Sequence, residues 1–287
     1  MRNRRMTRRE TLSSIGLGGI AFAVARLRAS APGFKIGACD WTLGKATNPD
    51  ALELAKQIGL DGVMVDMGKG SDDLPLHKPD LQEKYRQASQ RTGIVVSSIA
   101  LGTLNEIPLK SDPRAESWVA DSVDVAKALG LKVVLVPFFG KADLRGDKPG
   151  SDAVVASLKR VAPKAENAGV ILGLESMLNA DQHVEIMERV GSPAVRVYYD
   201  VGNSQEAGYD IFKEIRFLGQ RICEFHAKDY QDLYGKGTMN FPAVRKAMDD
   251  IGYRGWMQIE GVKSPLGVEE SVRYDLNYLR GIFPRET

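Results

Sequence analysis

Four side chains able to hold a cation recur at nearly even spacing in the second half of the chain. Glu175 lies in Gly173-Leu-Glu-Ser176, Asp200 in Tyr198-Tyr-Asp-Val-Gly-Asn203, His226 in Phe225-His-Ala-Lys-Asp229 and Glu260 in Gln258-Ile-Glu-Gly261. The intervals are 25, 26 and 34 residues, the pitch of successive strand–helix units. Each of the four ends a predicted strand. Three carboxylates and an imidazole brought together form an oxygen-rich set for a hard or borderline divalent cation. Packed carboxylates repel and raise one another's pKa unless positive charge sits among them. Singly, each has a plainer reading: Glu175 as a helix cap, Asp200 as a turn residue, His226 as a core histidine, Glu260 as an ion-pair partner of Lys228. Their joint occurrence at four successive strand ends favours a shared site.

Such a site requires elements that bring the strand ends to one place. Short apolar runs predict strands at 34–39, 62–66, 94–99, 133–136, 170–174, 195–199, 222–225 and 256–259. Helical patterns fill the intervals, at 49–58, 80–92, 114–129, 151–167, 181–190, 210–218, 241–251 and 267–283. Gly59, Gly93, Gly130 and Gly169 stop the first four, as left-handed C-caps do. Eight such repeats in the 256 residues of 32–287 predict an α/β fold, a single-domain (β/α)8 TIM barrel whose strand C-termini converge on one mouth. An open doubly wound sheet lacks support, because Cys39-Asp-Trp-Thr-Leu-Gly44 after the first strand is not a phosphate-cradling GxGxxG. Strand alternation places Glu224 and Lys228 in the lumen with His226, Gln258 with Glu260 and Tyr198 with Asp200. Cys223 and Phe225 then face the helices.

These motifs resemble the xylose isomerase-like TIM-barrel superfamily, in particular sugar phosphate isomerases and epimerases of the ketose 3-epimerase type. The resemblance extends to the loop Gly235-Lys-Gly-Thr-Met-Asn-Phe-Pro242 and to Gly252-Tyr-Arg-Gly-Trp-Met-Gln-Ile-Glu260. It implies one divalent metal ion on Glu175, Asp200, His226 and Glu260, with Mn2+ first and Co2+, Mg2+ or Zn2+ as alternatives. It also implies that Glu175 and Glu260 double as the acid/base pair for a small carbohydrate substrate, and that the protein is a homo-oligomer. An α-hydroxy ketone fits such chemistry, since loss of its α-proton leaves an enediolate that a Lewis acid stabilises. Asn203, Asp232 and Asp181 stand where relatives of this type carry His, Arg and Glu. Asp181, Asn203, Lys228 and Trp41 are therefore the candidate substrate contacts; Trp41 reads equally as a sugar platform or as core.

The first 31 residues read as a Tat-type export signal: Arg8-Arg9, an apolar stretch from Ile15 to Val24, then Ala29-Ser-Ala31. The expected location is the periplasm, without a stable membrane anchor, because the stretch is too short to span a bilayer. This leader holds seven of the 39 basic residues and one of the 37 acidic ones, leaving 32 against 36, a net charge of −4. That balance argues against nucleic acid as a partner. With three histidines in the chain, it also argues against the three-zinc endonuclease IV-type barrels. Cys39 and Cys223 are too few for a disulfide framework and read as buried thiols. Two other functions use the same residues: a keto-sugar lyase or dehydratase, which expels a leaving group from the same enediolate, and a non-catalytic sugar-binding barrel.

Overall fold

The computed structural model describes residues 33–261 and 263–285, so the leader reading over 1–31 lies outside the described residues. Eight strands form: β1 (Lys35–Cys39), β2 (Gly62–Asp66), β3 (Val95–Ala100), β4 (Val133–Phe138), β5 (Ile171–Ser176), β6 (Val195–Asp200), β7 (Ile222–Ala227) and β8 (Trp256–Ile259). They pair in parallel in sequence order and β8 returns to β1, which closes the barrel. The connecting helices are α1 (Asp50–Ile58), α2 (Pro79–Thr92), α3 (Pro113–Leu129), α4 (Lys148–Ala168), α5 (Ala180–Val190), α6 (Val201–Glu206), α7 (Ile211–Leu218), α8 (Phe241–Asp250) and α9 (Val268–Ile282). The six-residue α6 has no counterpart among the predicted helices. Among the described residues, no helix is long and apolar enough to cross a membrane.

The core has two parts. Outward-facing strand residues such as Ile36, Val65, Val134, Leu172, Val197 and Phe225 pack against the helices. A smaller inner layer fills the lumen with Cys39, Met64, Ala100, Leu135 and Tyr198. The rest of the lumen is polar, as the alternation predicts: Ser98 Oγ donates to Glu224 Oε2 at 2.9 Å, and Gln258 Nε2 donates to Ser97 Oγ at 2.9 Å. A side chain at Gly37 would meet Gln258, its Cβ lying 2.2 Å from Oε1, so glycine lets that amide cross the lumen.

One facing is corrected. Phe225 does face the helices, but Cys223 packs on the inner layer. The register explains it: Val197 pairs with Ile222 and the next residue, Tyr198, with Glu224, so Cys223 is a bulge that turns inward beside Glu224. A second bulge does the same at Ser97, between Val96 and Ser98. Both cysteines are free.

Candidate metal centre

The barrel brings the four predicted ligands together: one donor atom from each of Glu175, Asp200, His226 and Glu260 lies within 4.8 Å of the others. Glu175 and His226 are the penultimate residues of β5 and β7, and Asp200 is the last of β6. Asp200 pairs directly with His226 in the ladder. Glu260 follows β8, its N–H donating to Ala227 O at 2.9 Å, so the ladder continues one residue to fix it.

Local structure aims each group. Asp200 caps α6: its Oδ1 accepts the Asn203 N–H at 2.9 Å. That leaves Oδ2 buried with no hydrogen-bond partner. His226 presents Nδ1 to the carboxylates, 2.8 Å from Glu175 Oε1, 3.6 Å from Glu260 Oε2 and 3.8 Å from Asp200 Oδ2. Its Nε2 lies 3.4 Å from Cys39 Sγ, and the Tyr198 ring packs 4.5 Å away, so the imidazole is fixed on two sides. Three carboxylates, one imidazole nitrogen and an orphaned buried oxygen fit a divalent cation, which would satisfy that oxygen.

The electrostatics show why positive charge is needed. Burial pushes the Asp200 carboxyl up to about 7; Lys228 opposes this, while Glu260 and Glu175 add to it. Burial also acts on Glu260, but Lys228 and His226 outweigh it and hold that carboxyl down at about 2. Lys228 Nζ donates to Glu260 Oε2 at 2.7 Å and lies 3.5 Å from Asp200 Oδ2. Burial disfavours the charges of both Lys228 and His226, yet their acidic neighbours raise both well above their usual ranges.

A cavity of about 700 Å³ opens over this centre. Glu175 and Glu260 line it, whereas Asp200 and His226 are buried and do not. Three of the candidate substrate contacts line it too: Trp41, Asn203 and Lys228. Trp41 is no plain core residue, because its Nε1 donates to Glu260 Oε1 at 3.0 Å. Asn203 Nδ2 donates to Glu175 Oε1 at 3.4 Å, and Asn203 Oδ1 accepts the Tyr230 hydroxyl at 2.6 Å. Asp181 does not join them. The capping box of Asn179 and Gln182 starts α5 just before it and leaves Asp181 exposed on the first turn.

Sequence reasoning missed Tyr230, Asn105 and Asp66 among the lining residues. Asp66 was within reach of the rule used for the quartet, since it is an acid at the end of a predicted strand. Asn105 ends a single 3-10 turn, Gly102–Asn105, too short for periodicity to reveal.

The chain matches known proteins at the level of sequence and fold. It is 28% identical over 177 residues to 2-epi-5-epi-valiolone 7-phosphate 2-epimerase of Actinoplanes sp., a match that covers 61% of this chain and 65% of that protein. The chain thus spans just under two thirds of that relative's length. The solved structure of 3-keto-D-glucoside 4-epimerase from E. coli superimposes with a TM-score of 0.72 at 17% identity, over 86% of this chain and 99% of that one. D-allulose 3-epimerase from Methylomonas sp., in complex with D-allulose, gives 0.70 at 16% identity, over 88% and 98%. A family model matches residues 52–282, and the chain belongs to the family it describes, the xylose isomerase-like TIM barrels.

Proposed function

We propose that the protein is a metal-dependent sugar epimerase or isomerase that acts on a small keto-sugar through an enediolate, in the periplasm if the leader exports it. The observation that carries this reading is the division of the quartet: all but Glu260 are buried, yet both glutamates line one cavity while Asp200 and His226 do not. Epimerase names among the relative and the structural neighbours support it. Glu175, Asp200, His226 and Glu260 would hold the cation, which supplies Lewis acidity to a chelating α-hydroxy ketone. Glu175 takes or returns the α-proton from its side of the cavity, oriented by Asn203. Glu260 does so from β8, oriented by Trp41 and Lys228. Lys228 and His226 keep Glu260 ionised, and their positive charge lowers its basicity.

The test is exchange of the sugar's α-proton with D2O, followed by NMR on Mn2+-loaded protein. Glu175→Gln and Glu260→Gln keep one ligating oxygen and remove the base. Each is expected to retain metal and to lose at least about two orders of magnitude in turnover. Exchange need not vanish equally in both, since one glutamate removes the proton and the other returns it: partial exchange without net conversion in one variant fits the scheme. Near wild-type turnover in both metal-loaded variants sinks the two-carboxylate mechanism and makes Lys228 the base to test. Release of water or an aglycone in place of exchange into an intact sugar points to the lyase.

A further inference from the structure

The cavity has a second wall, built from the ends of β2, β3 and β4 and the loops that follow them. Asp66 closes β2 there and lines the cavity, as do Gly102, Asn105 and Phe139. Two backbone amides fix the Asp66 carboxylate: Gly68 N–H donates to Oδ1 at 2.6 Å and Gly102 N–H to Oδ2 at 3.1 Å. Glycine at 102 permits the second, because a Cβ there would lie 2.3 Å from Oδ2. Each oxygen has used one acceptor site, so the carboxylate keeps further lone pairs. Asn105 complements it. Its Oδ1 accepts the Phe139 N–H at 3.0 Å, which fixes the amide and leaves Nδ2 as a donor.

This wall suits hydroxyl groups and opposes a phosphate. Phosphate recognition uses arginine forks or clustered free amides. The amides of Gly68 and Gly102, which could have formed such a nest, are given to the protein's own carboxylate. No arginine lines the cavity among the described residues, and Lys228 is paired with Glu260. Lys69 lines the cavity but is exposed to solvent there. A fixed acceptor beside a fixed donor is what a polyhydroxylated chain requires.

We propose that Asp66 and Asn105 form the subsite for the distal hydroxyls of a neutral, unphosphorylated sugar whose reacting carbons lie at Glu175 and Glu260. The inference rests on the reaction proposed above and adds the substrate class. The test uses the full-chain, Mn2+-loaded protein with two matched pairs, D-fructose against D-fructose 6-phosphate and D-ribulose against D-ribulose 5-phosphate, with α-proton exchange in D2O as the readout. The free sugars are expected to exceed their phosphate esters in kcat/KM by at least about tenfold, the scale of one hydrogen bond to a charged group gained or a like charge opposed. Asp66→Asn is expected to raise KM for the free sugar by a larger factor than it lowers kcat, and to narrow the preference. Phosphate esters exchanged as well as free sugars, or better, overturn the inference and leave the reaction standing. An Asp66→Asn protein with the wild-type melting curve and KM within twofold of wild type also overturns it. Exchange with none of the four sugars counts against the reaction itself, and the substrate class falls with it. The wild-type comparison needs no variant to fold.

Discussion

Lys228 ties the charge of the centre to the stability of the barrel. Its Nζ lies 2.7 Å from Glu260 Oε2 and 3.5 Å from Asp200 Oδ2, and the residue is only 8% exposed. Lys228→Met keeps the length of the side chain and removes its charge. Burial then acts on both Glu260 and Asp200 with less opposition than before. Removing one partner of a buried ion pair costs about 3–5 kcal/mol. At ~2–4 °C per kcal/mol for a domain near this size, the metal-free variant should melt ~10 °C below wild type. The loss has a pH signature. A carboxyl held down at about 2 contributes stability above its ordinary 4.5 and loses it as pH falls toward 2. The gap between the two proteins is therefore widest near neutrality and narrows below pH 4.5.

Metal supplies the control. Lys228 sits where it repels a cation held by Asp200 and Glu260, so Lys228→Met should bind Mn2+ more tightly. Saturating Mn2+ should then close much of the gap by compensating the same carboxylates. The assay is thermal melting of EDTA-dialysed protein with and without Mn2+, beside calorimetric titration of the metal. A metal-free melting point within 2 °C of wild type, or a deficit identical with and without Mn2+, refutes the coupling.

His226→Ala should remove most of the metal affinity, since it deletes a ligand that bridges Cys39 and Glu175; elemental analysis after dialysis showing unchanged stoichiometry and affinity would discard the assignment. Asp275 is 2% exposed, and burial pushes its carboxyl up to about 7, so it contributes stability below its ordinary 3.8 and loses it as pH rises through 7. Asp275→Asn can still accept the Tyr234 N–H, and should gain up to ~4 kcal/mol at pH 8 with little change at pH 4, read from urea midpoints; equal effects at both pH values would contradict the burial argument. Replacing Arg8 and Arg9 by lysine should trap precursor in the cytoplasm of a Tat-competent host, and continued export would count against the leader.

The barrel was legible because its signals are local and repeated. Each apolar run is bounded by a glycine or a cap, and the predicted strands fall within two residues of the observed ones at either end. The quartet was legible because a barrel turns regular sequence spacing into convergence. The bulges were not. Cys223 and Ser97 each slip one residue out of the ladder, and a one-residue slip reverses facing without altering composition. Nor was α6, which is shorter than two turns and exists because Asp200 caps it. Asp181 misled because a place in a family motif says nothing about which way the first turn of α5 faces.

The plainer reading of Glu260 as the partner of Lys228 proved compatible with its place in the quartet, and that coexistence bears on mechanism. The two floor residues are set by rigid features: Asp200 by the amide of α6, His226 by ladder pairing and by Cys39 and Tyr198. Glu260 is held by two side chains that also line the cavity, Trp41 and Lys228; Glu175 is met by His226 from the floor and by Asn203 from the cavity wall. On the proposed reaction, a sugar entering the cavity would meet those same side chains, and its hydroxyls would compete for the hydrogen bonds that orient the glutamates. Substrate contact would thereby reorient the glutamates while the floor of the centre stays fixed. Substitutions at Asn203 or Trp41 should consequently alter proton transfer more than metal retention, whereas those at Asp200 or His226 should do the reverse.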